Sequence, residues 1–362
     1  MSYSGNYNAV DRALHRFAFF SPIVQKVLAE VENDLFKKDY AAVESQDEVF
    51  ITGLPRAGTT LMLELLFETR EFRTFTYRQM PFILSPLLWS KLSRSFRKAA
   101  TKQERAHGDG MEISVDSPEA FDEVIWLTYM GRKIVGDDRL TPVNAEDVDE
   151  DFVEAIRNCV RKLLALSEEG PPVSSALRYL SKNNANISRI EALHKIFPTS
   201  KVLIIFRHPL AHISSLARQH DRFSKEHASD KFSRKYMKWI GHYEFGGNFK
   251  PINFESWLDQ TGVPSHIDQG FWLKYWNAAY TYALEHTSDN VHFVDFDGLL
   301  SDGAQALARV AELLGLSDNS ALLEAGKGLR APTTHPVELD SHLHQDWKRA
   351  QQIHSQLLTL AV

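Results

Sequence analysis

"VFITGLPRAGTTLMLELL", residues 49–66, decides the fold. Val49–Thr52 reads as a buried strand, Gly53 to Gly58 as a tight turn, and Thr59 to Thr69 as an apolar helix. A glycine-rich turn between strand and helix aims several backbone N–H groups at one point, and the helix N-terminus adds the positive end of its dipole. Gly53 permits the turn, Gly58 lets an anion approach the backbone, and Thr59 and Thr60 supply hydroxyls. Gly53 and Gly58 followed by two threonines reproduce the G-x4-G frame of a phosphate-binding loop. Thr59 stands where a nucleotide hydrolase would carry lysine, and the charge sits instead on Arg56, inside the turn.

Working outward, "SRIEALHKIF" (188–197) reads as a helix leading into "KVLIIFRHP" (201–209). Val202–Phe206 is apolar throughout, as expected of a parallel strand covered on both faces, and Pro209 ends it. That strand delivers Arg207, where a metal-dependent hydrolase would want an acid. Ser215 follows eight residues later on the next helix and can face the same side. Lys182 ends a short apolar stretch 25 residues before Arg207, a position from which an ammonium can reach the crevice above a parallel sheet. Helices are also expected over 8–37, where apolar residues recur at Ile23, Val27, Val31 and Leu35, and over 147–170, 271–286 and 303–316, with a further strand at 291–296. Alternating strands and helices predict an α/β fold: a P-loop-containing parallel β-sheet flanked by helices, with helical inserts covering the site at the strand ends. The expected organisation is one domain over 1–362, with a helical N-terminal extension over 1–46 and a lid or binding insert over 220–270.

The bulk numbers restrict the partners. With 41 Lys and Arg against 47 Asp and Glu the formal charge is −6, and no basic tail is present, so nucleic acid and anionic membrane surfaces find no bulk electrostatic support. The single cysteine, Cys159, fits a reducing compartment. No stretch approaches the roughly 20 apolar residues of a membrane span, so a cytoplasmic protein is expected. The histidines show no spacing with acids or cysteine that suggests a metal site, and none is expected.

Together these residues resemble the sulfotransferase superfamily that uses 3′-phosphoadenosine 5′-phosphosulfate (PAPS). "GLPRAGTTLM" (53–62) is similar to its 5′-phosphosulfate loop, with Ala57 in place of the usual Ser, and "RHPLAHISS" (207–215) is similar to its 3′-phosphate motif. The resemblance spans about residues 47–335 and includes "VDFDGLLSDGAQALARVAELLGL" (294–316). It implies that Arg56 and the N–H groups of Ala57, Gly58, Thr59, Thr60 and Leu61 hold the 5′-phosphosulfate without metal. It implies that Arg207 and Ser215 hold the 3′-phosphate, with Arg330 in "KGLRAPTTH" as a further candidate, and that an aromatic near Trp276 is a candidate to stack on adenine, a core role being the stronger expectation. Fixed cations at the bridging oxygen then carry the transfer, with Arg56 and Lys182 in that role. The product would be 3′-phosphoadenosine 5′-phosphate, and the acceptor a hydroxyl on a small molecule, lipid or glycan.

The acceptor hydroxyl needs a base. Tyrosylprotein sulfotransferases place a Glu shortly after the loop helix, whereas "FRTFTYRQMP" (72–81) contains no acid, which argues against protein tyrosine as acceptor. His107, beside the Gly108–Gly110 turn, is the expected base, and Glu119 in "SPEAFDE" is read as a helix N-terminal acid. Tyr77, Phe82, Trp89, Trp126, Tyr129, Tyr243, Phe245 and Trp257 suggest an aromatic or apolar acceptor pocket. Two other readings remain open, a P-loop kinase or NTPase and a non-catalytic nucleotide-binding relative, and a homo-oligomer is compatible with all three.

Overall fold

The computed structural model describes residues 9–93, 103–104, 112–113, 117–166, 177–259, 261–329 and 339–362. In chain order, helices α1 (Ala9–Ala18) and α2 (Pro22–Tyr40) precede strand β1 (Val49–Thr52), which turns into α3 (Thr59–Phe67). Then come β2 (Phe72–Arg73), α4 (Pro86–Ser93), an antiparallel pair β3 (Gln103–Glu104) and β4 (Glu112–Ile113), α5 (Glu123–Ile134) and α6 (Glu150–Leu164). The second half runs β5 (Arg178–Lys182), α7 (Ile190–Ile196), β6 (Lys201–Phe206), α8 (Pro209–Ser229), α9 (Lys231–Trp239) and α10 (Gln269–Glu285). It closes with β7 (Val291–Asp295), α11 (Phe296–Ser301), α12 (Gly303–Leu314), α13 (Ser320–Gly326) and α14 (His344–Leu360).

Five strands pair in parallel in the order β2-β5-β1-β6-β7. β1 lies in the middle, with Val49 opposite Leu180 of β5 on one side and Lys201 of β6 on the other. The chain therefore leaves β1 for one neighbour and later crosses to the opposite one. In open parallel sheets that reversal leaves a crevice at the C-terminal strand ends. The unbroken apolar runs follow from burial on both faces. Phe50, Val202, Ile204 and Phe206 enter one core with α5, α6, α8 and α10, whereas Val49, Ile51, Leu203 and Ile205 enter the other with α3 and α12.

The helix expected over 8–37 is two helices. Ser21 is extended, its side chain accepts the Ile23 N–H at 3.3 Å, and Pro22, which lacks an N–H, starts α2. The stripe of Ile23, Val27, Val31 and Leu35 faces outward, each residue between 43% and 67% exposed. The inward face is instead partly polar. Gln25 donates to the Pro81 carbonyl at 2.9 Å, and Glu32 meets the Lys162 ammonium at 3.4 Å. The helix around 147–170 starts at Glu150, because Asp149 caps the Phe152 N–H at 2.9 Å. Helix α8 runs on to Ser229 and α9 follows at once, so irregular backbone starts near Ile240 rather than at 220.

Candidate active site

The turn after β1 is shaped by two glycines. Gly53 has φ 139°, and a Cβ there would lie 2.4 Å from the Ile205 carbonyl oxygen of β6. Gly58 has φ 103°, and a Cβ there would lie 2.1 Å from the Phe296 ring. Gly58 is thus required by its left-handed backbone and by Phe296 packing on it, a different reason from the anion approach expected of it. Arg56 itself takes a positive φ of 70°, strain that an L-residue holds only where the surroundings enforce it. The Ala57 N–H donates to the Leu54 carbonyl at 3.2 Å and its side chain is buried, so Ala57 also shapes the turn. The first-turn amides of α3, from Gly58 to Leu61, have no intrahelical carbonyl to bond and point out of the helix end.

The carbonyl of Pro55 is held from below. His212 of α8 is fully buried, and its Nδ1 accepts from the Trp276 indole N–H at 3.2 Å. Indole nitrogen only donates, so the His212 proton sits on Nε2, which donates to the Pro55 carbonyl at 2.8 Å. Burial, with Arg207 and Arg56 adding to it against the Pro55 bond, pushes His212 down to about 3 and keeps it neutral. Trp276 is fully buried in this pin, the core role that was the stronger expectation for it.

Arg207, at the end of β6, is 8% exposed. Its guanidinium lies 5.1 Å from the centre of the Phe296 ring and donates through Nη1 to the Arg56 carbonyl at 3.4 Å. Asp297 stands 3.9 Å from its Nε, which finds no hydrogen-bond acceptor among the described residues. The Arg56 Nε donates to Ser215 Oγ at 3.4 Å. Two guanidinium groups and a hydroxyl from β1, β6 and α8 thus meet beside the N-terminus of α3, a concentration of positive charge suited to anionic groups. Arg218, one turn beyond Ser214 and bonded to its hydroxyl at 2.5 Å, adds positive charge near Arg207 that the sequence reading missed.

A cavity above the strand ends is lined by Arg56, Thr59, Thr60, Lys182, Asn184, Glu119, His242 and Glu244, among others. Lys182 ends β5 with a side chain 6% exposed and its ammonium 3.7 Å from Glu119. Glu119 is therefore part of the cavity wall, four residues before α5 begins, and not the acid of that helix's first turn. Asn184 accepts the Thr59 hydroxyl at 3.0 Å, tying the end of β5 to the start of α3. Below Lys182, the neighbouring Asn183 and Arg189 both donate to Glu123, at 2.7 and 2.6 Å. A second cavity adjoins the first and shares Pro55, Asn184, His242 and Glu244 with it, and Leu54, Ala120, Leu140, Ile252 and Tyr275 give it an apolar wall.

His107 and Arg330 lie outside the described residues. Of the aromatic residues expected around an acceptor, Phe245 lines the first cavity and Tyr243 the second. Trp126 is fully buried between Phe152 and Arg189 and belongs to the core. Sequence reasoning did not single out Asn184, His242 or Glu244. The available signal was nearness in sequence: Asn184 opens the short 3-10 helix two residues beyond Lys182, and Tyr243, which was singled out, lies between His242 and Glu244. Among the described residues no group of three or more His, Cys, Asp or Glu is arranged to hold a metal ion, and no helix is long and apolar enough to cross a membrane.

Comparison with known proteins agrees with this architecture. The model of the sulfotransferase family matches residues 48–260, more than half of the chain. A crystal structure of a sulfotransferase from Mycobacterium avium superposes with a TM-score of 0.52 at 14% identity, covering 97% of this chain and 86% of that one. A sulfotransferase from Mycobacterium tuberculosis gives a TM-score of 0.48 at 13% identity, covering 98% and 87%. A search among curated protein sequences returned no significant match.

Proposed function

Because the chain belongs to the sulfotransferase family, we propose that it transfers the sulfuryl group of PAPS to a hydroxyl of a small-molecule, lipid or glycan acceptor. The observation that carries this reading is the meeting of Arg56, Arg207 and Ser215 at the N-terminus of α3. Arg207 and Ser215, with Arg218 nearby, bind the 3′-phosphate, the group that separates this donor from ATP. Arg56, the Thr59 and Thr60 hydroxyls and the amides from Gly58 to Leu61 bind the 5′-phosphosulfate. Arg330 is a further candidate for the 3′-phosphate.

Transfer breaks the bond between sulfur and the bridging phosphate oxygen and forms one between sulfur and the acceptor oxygen. Negative charge grows on the bridging oxygen as the bond breaks, and Lys182 and Arg56 are the fixed cations that neutralise it. The apolar second cavity suits the body of an acceptor whose hydroxyl reaches the first cavity.

The donor assignment is tested by calorimetry. The protein is expected to bind 3′-phosphoadenosine 5′-phosphate with a Kd of about a micromolar or below, equally with and without EDTA, and to bind ATP–Mg²⁺ much more weakly. Binding of ATP–Mg²⁺ without binding of the 3′-phosphorylated nucleotide would instead assign the loop to a kinase or NTPase.

A further inference from the structure

We propose that His242, oriented by Glu244, is the general base that takes the proton from the acceptor hydroxyl. The inference rests on the sulfotransferase reading above and assigns the step that reading leaves open. His242 and Glu244 belong to the irregular backbone after α9, and both line the wall shared by the cationic cavity and the apolar one. An acceptor seated on the apolar side meets His242 and Glu244 where the two cavities adjoin.

Several contacts hold the His242 turn in place. The His242 N–H donates to the Met237 carbonyl at 2.9 Å, and the Lys250 N–H donates to the Tyr243 carbonyl at 2.9 Å. Gly241 has φ 81° and packs on α5, where a Cβ would lie 2.2 Å from Glu123 Cγ. The turn is thereby fixed to the same glutamate that receives Asn183 and Arg189 beneath Lys182.

The ring is 10% exposed, and its Nδ1 lies 3.2 Å from Glu244 Oε2. With Nδ1–H donated to that carboxylate, Nε2 is the nitrogen that accepts a proton. The charged groups that act on the ring include Glu244 on its own turn, Glu119 before α5 and Lys182 at the end of β5, and Arg56 of the loop lines the same cavity. Burial disfavours the imidazolium, but the charge and hydrogen bond of Glu244, with Glu119 behind, outweigh burial and the repulsion of Lys182, so the ring titrates above its ordinary 6.5. Burial would raise Glu244, but the histidine charge and hydrogen bond bring it down to about 2, so it stays ionised as the orienting partner. Glu119 is a poorer base, because the Lys182 ammonium 3.7 Å away and the Ala120 N–H at 2.9 Å both stabilise its carboxylate.

The step balances. The acceptor O–H bond breaks and its proton goes to Nε2 of His242. The acceptor oxygen bonds to sulfur, the bond from sulfur to the bridging oxygen breaks, and the leaving 5′-phosphate keeps that electron pair.

Hydrolysis of PAPS, with water as the hydroxyl, tests this directly, alongside calorimetry with 3′-phosphoadenosine 5′-phosphate. The wild type is expected to hydrolyse PAPS faster than buffer, with a rate that rises with pH through a midpoint above 6.5. His242→Gln should be roughly a hundredfold slower and lose that pH dependence, with nucleotide affinity unchanged. Glu244→Gln should retain a pH dependence with its midpoint moved down, a shift that a merely structural role would not produce. His242→Gln hydrolysing at the wild-type rate with the wild-type profile would overturn the assignment, as would a wild type that binds the nucleotide without hydrolysing PAPS. A wild type that fails to bind the nucleotide would overturn the donor reading, and the calorimetry separates the two failures.

Discussion

Lys182→Met is expected to lower PAPS turnover by roughly a thousandfold while changing affinity for 3′-phosphoadenosine 5′-phosphate by less than about threefold. The ammonium stabilises charge that appears on the bridging oxygen only as the bond to sulfur breaks, so its loss falls on kcat. Met keeps the unbranched apolar stem and omits only the terminal ammonium. The substitution also strips Glu119, whose side chain is 4% exposed, of the cation 3.7 Å away. Removing a cation from beside a buried carboxylate is destabilising, so the single variant should also unfold more easily. Lys182→Met combined with Glu119→Gln separates the effects: stability should return and turnover should not. A double variant with wild-type turnover would remove Lys182 from the chemistry.

The second large effect is on stability. Glu123 accepts from both terminal guanidinium nitrogens of Arg189, Nη1 and Nη2, at 2.6 and 2.9 Å, and from Asn183 at 2.7 Å. Arg189 is 1% exposed and lies 4.6 Å from the centre of the Trp126 ring. Glu123→Ala leaves that guanidinium buried without its carboxylate and should cost about 3–5 kcal/mol in urea unfolding. It should also loosen the end of β5 and the Gly241 turn, which rest on the same side chain. Glu123→Leu with Arg189→Met should recover part of the loss, because matched apolar groups need no partner while the buried Asn183 amide still loses its acceptor. A cost below about 1 kcal/mol for Glu123→Ala would show that the network does not hold this end of the sheet.

The sheet and the loop were legible because their signals are local. Residues 49–66 state strand, turn and helix in order, and the apolar runs at β1 and β6 admit little but a sheet buried on both faces. Arg56, Lys182, Arg207 and Ser215 could be chosen because each follows a strand end or occupies the next helix at a readable spacing. The second half of the cavity was not legible in this way. His242 and Glu244 reach it through the positive φ of Gly241 and its contact with Glu123, more than a hundred residues earlier, and no periodicity announces such a contact. The α2 stripe was read for its period, but period alone does not say which face turns inward. Gln25 and Glu32 found buried partners, and the apolar residues remained outside. For Trp276 a core role could be expected from sequence, but not its hydrogen bond to His212, which spans 64 residues.

The central claim is that Arg207 recognises a 3′-phosphate, and one comparison tests it. The affinities of 3′-phosphoadenosine 5′-phosphate and of 5′-AMP, which lacks only that phosphate, are measured for the wild type and for Arg207→Ala. The wild type should prefer the bisphosphate by roughly a hundredfold, and the preference should fall to within about tenfold in the variant, since charge-assisted bonds from the guanidinium carry most of it. Equal affinities in the wild type, or an undiminished preference in Arg207→Ala, would contradict the account.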